Sequence, residues 1–120
     1  MKAVGIVGSY HKNGVIDTAV SEVLRGTEDV GFKTEKMLLV EKNIQFCRNC
    51  RHCTQPRGSE PGRCAIEDDD MPELLEKCLE ADILVLGSPV VMGSATAVTK
   101  AFMERLAPLA YWPWGAMAPK

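Results

Sequence analysis

The chain has 120 residues, 46% hydrophobic and 25% charged, with a formal net charge of −2. That is enough for one domain, too apolar for a disordered chain, and without the basic surplus of a nucleic-acid binder. It has no apolar run near the roughly 18 residues that span a bilayer, and Met1–Gly8 carries no leader cleavage pattern, so a cytoplasmic protein is expected.

Val4 to Gly8 is a continuous apolar run closing on small residues, which suits a strand buried on both faces of a parallel sheet. Ile16, Ala19, Val20, Val23 and Leu24 then recur at helical spacing and predict a helix ending near Gly26. Lys36 to Val40 predicts a second strand. Between Glu41 and Asp69 periodicity is lost, and Pro56, Gly58, Pro61 and Gly62 mark a long excursion with a cysteine-rich loop at about 44–66. A loop of this length inside a compact domain is normally functional or cross-linked. Asp70 with Glu73 predicts a capping box, with Pro72 in the first turn and Met71, Leu74, Leu75, Cys78 and Leu79 as the apolar stripe. Ile83 to Gly87 is expected to be the clearest buried strand, and Val98, Ala101, Phe102, Arg105, Leu106 and Leu109 predict a last helix with Ser94 or Thr96 as its N-cap. The order βαβ, loop, αβα implies one α/β domain over residues 1–120, a narrow parallel sheet whose outer strand lacks a partner. Tyr111, Trp112 and Trp114 suit either an interface or packing on the domain's own sheet.

Ligands of open α/β sheets bind beyond the carboxyl ends of the strands, so the loops after the first and third strands carry the candidate site. The first, Gly8-Ser9-Tyr10-His11-Lys12-Asn13-Gly14, lacks both the Walker and the dinucleotide glycine patterns, but its small and polar residues at a strand-to-helix turn suit a phosphate. The second, Gly87-Ser88-Pro89-Val90-Val91-Met92-Gly93-Ser94, offers an approachable backbone and an apolar wall for a flat ring. An ordinary strand-to-helix turn accounts for either loop alone.

Cys47-x-x-Cys50-x-x-Cys53, followed ten residues later by Cys64, is the most chemically specific feature. Two-residue gaps let a tight turn aim successive thiolates at one centre, as in a [4Fe–4S] site. Zinc, with His52 as a substitute ligand, and unliganded redox-active thiols are the alternatives. Arg48, Arg51, Arg57 and Arg63 interleave the thiols and would offset their charge. Cys78 reads as a buried small hydrophobe, and Glu67 to Asp70 as a solvated turn with a helix cap.

Gly8-Ser9-x-x-x-Asn13-Gly14 after an apolar strand, Gly87-Ser88-Pro89, and Lys100-x-Phe102-x-x-Arg105 in the next helix resemble the NADPH-dependent FMN reductase and iron–sulfur flavoprotein family. The resemblance implies a flavodoxin-like open parallel sheet with helices on both faces. By the same resemblance Ser9, His11, Asn13, Gly14, Asp17 and Thr18 surround an FMN phosphate. Ser88, Pro89, Val90, Val91, Met92, Gly93 and Ser94 line the ribityl chain and ring, NAD(P)H is the electron donor, and Cys47, Cys50, Cys53 and Cys64 hold a [4Fe–4S] cluster. The chain departs from the family in lacking an Arg near His11 and an aromatic or Asn near Val91, and its gap before Cys64 is longer than usual. Family members continue into two further strands, so a chain stopping at Lys120 is expected to lack the last strands of the fold. It would then bind FMN weakly, only as a dimer, or not at all, and a homodimer or homotetramer is expected. A flavodoxin-like electron carrier without NAD(P)H turnover, or a half-domain stable only as a dimer, stays open.

Overall fold

The computed structural model describes residues 1–53 and 63–109; Arg57 and the aromatic residues Tyr111, Trp112 and Trp114 lie outside the described residues. The elements are β1 (Lys2–Val7), α1 (Val15–Glu28), β2 (Lys33–Leu38) with a 3-10 turn at Leu39–Glu41, α2 (Met71–Glu80), β3 (Ile83–Gly87) and α3 (Ala97–Glu104). The strands are parallel in the order β2-β1-β3, with Val4 opposite both Glu35 and Leu84. This α/β arrangement, with β1 central, is the doubly wound order of flavodoxin-like sheets.

Alternation along β1 divides the core into two layers. Ala3 and Val7 face α1 and pack with Val20 and Leu24, while Val4 and Ile6 meet Met71, Leu74 and Cys78 of α2 and Phe102 of α3. Helices therefore cover both faces. Gly5 lets α1 settle on the sheet: a Cβ there would stand 2.7 Å from Val20 and Leu24 side-chain atoms. Cys78 is buried in the second layer, as its helical position predicts, and burial pushes its thiol pKa up.

The structure corrects four expectations. The second strand lies earlier, at Lys33–Leu38, because the chain tightens into the 3-10 turn at Leu39. The most apolar run is not the most buried strand: β3 is the sheet edge, and Leu84 and Leu86 remain 44% and 40% exposed. They share a face with Val4 and Ile6, but α2 and α3 cover that face over β1 and β2. The capping box is replaced by a cross-loop arrangement. Asp70 makes no side-chain cap and accepts instead from the Asn43 N–H at 2.6 Å, while Asp69 accepts from the Met71 N–H at 3.0 Å. The last helix stops at Glu104, and turns carry the chain through Leu109.

Candidate functional site

The loops that follow β1 and β3 meet at one rim because these strands are hydrogen-bonded neighbours. The ladder ends with the Gly8 N–H donating to the Gly87 carbonyl at 2.7 Å. Above it, the Thr96 hydroxyl donates to the Gly8 carbonyl at 2.6 Å and caps α3 by accepting from the Thr99 N–H at 3.3 Å. The Thr99 hydroxyl lies 2.6 Å from that of Thr96 and 3.3 Å from the same carbonyl. Gly8 is required by this closeness, since a Cβ would fall 1.8 Å from Thr99 Oγ1. Of the two N-cap candidates Thr96 is the cap, and Ser94 is not.

In the first loop Ser9 is buried and accepts from the His11 N–H at 3.1 Å, which folds the chain back on itself. Asn13, with φ of 58°, occupies the left-handed region that Asn tolerates. Its N–H donates to Asp17 at 2.8 Å, and the Lys36 ammonium bonds the other Asp17 oxygen. The Lys36 hydrogen bond, then the Asn13 N–H, hold the buried Asp17 carboxyl below the usual carboxylate range. Asp17 thus braces the loop from beneath. His11, Asn13 and Thr18 are exposed, Gly14 is half-buried, and Gly14 caps α1 without a side-chain bond, leaving first-turn N–H groups with capacity for an external acceptor.

The second loop is a two-residue hairpin. Val91 and Ser94 exchange N–H to carbonyl bonds of 2.8 and 3.1 Å, and Met92 and Gly93 both take positive φ (48° and 78°), the pattern of a type I′ turn. Ser88 Oγ anchors it by accepting from the Thr96 N–H at 3.1 Å and donating to the Pro89 carbonyl at 2.9 Å. Ser88 and Pro89 are half-buried, and Val90 to Ser94 are exposed, with Met92 99% accessible. An apolar shelf of Val90, Val91 and Met92 therefore stands beside a polar, N–H-bearing turn.

The cysteine loop is a separate construction. Asn49 and Arg51 have positive φ (51° and 61°) and curl the chain between Cys47, Cys50 and Cys53. All four cysteines are free. Burial, then the neighbouring charges of Cys64, Cys47 and Cys50, push the Cys53 thiol pKa up. The Asn49 and Ile66 N–H groups each donate to a sulfur two residues earlier, Cys47 and Cys64, at 3.4 Å. Among the described residues no group of three or more His, Cys, Asp or Glu side chains is arranged to hold a metal ion. The donor set fits a thiophilic centre by its chemistry, and backbone N–H bonds to sulfur are a recognised means of tuning one.

Sequence reasoning missed the residues that fasten these loops. Glu67 to Asp70 is more than a solvated turn. The Asp69 side chain is fully buried and pairs with that of Arg105, itself 1% exposed, at 2.6 Å. Lys36 under the first loop, and Thr96 with Thr99 under both, were likewise invisible as functional residues. The one usable signal was the N-cap candidacy of Thr96.

The sequence profile of the NADPH-dependent FMN reductase family matches residues 1–118. The chain belongs to this family. It is 38% identical over 109 residues to an iron–sulfur flavoprotein of Methanocaldococcus jannaschii, covering 91% of this chain and 53% of that one. It is 36% identical over 113 residues to an iron–sulfur flavoprotein of Archaeoglobus fulgidus, covering 94% and 49%. The chain thus spans about half the length of these curated relatives. Among solved structures a flavone reductase superposes with a TM-score of 0.68 at 27% identity, over 90% of this chain and 30% of that one. Among the described residues no helix is long and apolar enough to cross a membrane.

Proposed function

We propose that the rim formed by the loops after β1 and β3 binds FMN and that the protein is an FMN-dependent oxidoreductase with NAD(P)H as electron donor. The observation that carries this reading is the pairing of an N–H-bearing turn at the α1 N-terminus with an exposed apolar hairpin, both at the β1/β3 switch point of a parallel sheet. That is where flavodoxin-like folds hold a flavin. In this reading Ser9, His11, Asn13, Gly14 and Thr18 surround the phosphate, with the field of α1 favouring the anion. Asp17 acts from below, fixing Asn13 through the bond at 2.8 Å, since an ionised carboxylate in contact with phosphate would repel it. Ser88 and Pro89 carry the hairpin, Val90, Val91 and Met92 shield one face of the ring from water, and Gly93 and Ser94 bring backbone close to it.

Cys47, Cys50, Cys53 and Cys64 would hold a [4Fe–4S] cluster, with His52 left outside the donor set. When bound, FMN supplies hydride chemistry and the cluster supplies single-electron steps. The protein's own part is binding, orientation and exclusion of water; no side chain at the rim is needed as nucleophile or general acid. Free thiols at this density accord with a reducing cytoplasm. The uncovered face of β3, with Leu84 and Leu86 exposed, supports a homodimer or homotetramer.

The decisive test is a titration with FMN and with riboflavin, followed by flavin fluorescence, alongside anaerobic purification with iron, sulfide and flavin assays. Charge-assisted bonds to the phosphate are worth about 1.5–3 kcal/mol each, so FMN is expected to bind at least ~10-fold tighter than riboflavin. Equal affinities would remove the phosphate from the first loop. FMN binding with no NAD(P)H oxidation by the loaded protein would favour the carrier.

A further inference from the structure

The two ends of the cysteine loop are fastened by one side chain that comes from neither. Arg105, at the C-terminal end of α3, donates through Nη1 to the Gln45 carbonyl at 2.9 Å and through Nη2 to the Ile66 carbonyl at 3.1 Å. Gln45 stands two residues before Cys47 and Ile66 two residues after Cys64. Asp69 closes the clasp, accepting from both guanidinium nitrogens (2.6 and 3.3 Å) and from the Gln45 N–H (2.8 Å). Ile66 in turn donates its N–H to Cys64 Sγ at 3.4 Å. Arg105 Nε is buried and has no hydrogen-bond partner among the described residues. An orphaned buried donor costs stability unless an acceptor meets it.

A buried ion pair is weak evidence for stability, because an apolar pair of like volume often does as well; its better-attested use is to specify geometry. Arg serves that use through a planar fork that fixes several acceptors at once. The same helix holds the flavin rim at its other end, where Thr96 bonds Gly8. Nine residues of helical rise set the two anchorages about 13 Å apart along α3.

We propose that Arg105 is a positioning residue for the cysteine-ligated centre: it presets both ends of the thiol loop, brings a cation and an unused N–H donor to the Cys64 side, and ties that loop through α3 to the rim. The inference rests on the cluster reading above. It differs from a purely structural staple in requiring that the fork, and not burial alone, governs assembly of the centre.

The test loads the full chain anaerobically with ferrous iron and sulfide and follows bound iron and visible charge-transfer absorption in wild type, R105K and R105Q. R105K keeps the charge and loses the fork, and is expected to bind iron about 10- to 100-fold more weakly, the usual cost of removing an outer-shell support. R105Q, lacking the cation that favours the more negative reduced state, is expected to give a more negative midpoint potential in whatever cluster it retains. Iron uptake by R105K equal to wild type, with only a lower Tm, overturns the proposal and leaves Arg105 a staple. An unchanged potential in R105Q overturns the electrostatic part. Wild type that takes up no iron overturns the cluster reading itself, a distinct result. Should either variant fail to fold, amide exchange on the unmutated, metal-free chain decides: Gln45 protected like the amides of α3 supports a preset loop, and free exchange of Gln45 sinks it.

Discussion

The rim and the cysteine loop solve the same problem, holding irregular backbone still, by opposite means. At the rim the anchors are short-range extensions of the sheet: neighbouring strands end in register, Gly8 bonds Gly87, and Thr96 bonds Gly8. Neutral hydroxyls and glycines suffice there because the ladder has already brought the partners together. The cysteine loop leaves the sheet after the 3-10 turn, and the next helix or strand among the described residues begins at Met71. No ladder is available to it among the described residues, so charge takes over, through Asp69, Asp70 and Arg105 reaching across 24 to 60 positions of sequence. Order near a sheet rim follows from the strands. Order in a long excursion has to come from buried, charge-assisted bonds.

The comparison breaks most sharply at Asp69. D69A leaves Arg105 buried without its counter-charge and is expected to cost about 3–5 kcal/mol in denaturant unfolding. If the cost were below 1 kcal/mol, the loop would be held by something other than this pair. On the rim side, G8A forces a methyl against Thr99 and is expected to cost about 1–3 kcal/mol. Adding T99A should restore part of that loss, and a double-mutant cycle with no coupling would mean the clash is relieved elsewhere. G93A, in open space but at φ of 78°, is expected to cost about 1 kcal/mol through backbone strain alone. M92A removes a fully exposed side chain and should change stability by less than about 0.5 kcal/mol while weakening FMN binding. A loss of stability without a loss of flavin affinity would take Met92 out of the ring site.

Acid sharpens the contrast further, since both regions contain a carboxyl held below its ordinary range. At Asp17 the cause is the Lys36 hydrogen bond and then the Asn13 N–H. At Asp69 burial pushes upward, but the bonds from Arg105, Gln45 and Met71 outweigh it. A depressed folded pKa contributes stability that is fully present above the unfolded value, about 3.9, and is lost as pH falls through the folded one. Unfolding free energy should therefore decline below about pH 4, and D17N should flatten that decline without affecting the cysteine loop. A pH slope identical in D17N and wild type would show that Asp17 carries none of it.

How much of this was legible beforehand follows from distance along the chain. The two loops were found because Gly8-Ser9 and Gly87-Ser88-Pro89 announce strand ends locally. The Cys-x-x-Cys-x-x-Cys run was found because its chemistry is written in consecutive residues. The edge position of β3 was not legible, since hydrophobicity reports what a strand could bury and not which neighbours cover it. Asp69 was indistinguishable from Glu67, Asp68 and Asp70 beside it, and only the folded chain shows the side chain of one of the four to be fully buried.

By itself, then, the sequence determined the βαβ, loop, αβα order, the narrowing of the last N-cap to Ser94 or Thr96, the glycines at the rim and the grouping of thiols, because each depends on residues within one or two turns of one another. The tertiary structure alone decided that α2 and α3 leave Leu84 and Leu86 uncovered, that Asp17 faces Lys36 and not solvent, and that Arg105 meets Asp69. Those outcomes depend on which distant surfaces exclude water together, and burial of a charge is favourable only where a partner from elsewhere in the chain arrives to meet it.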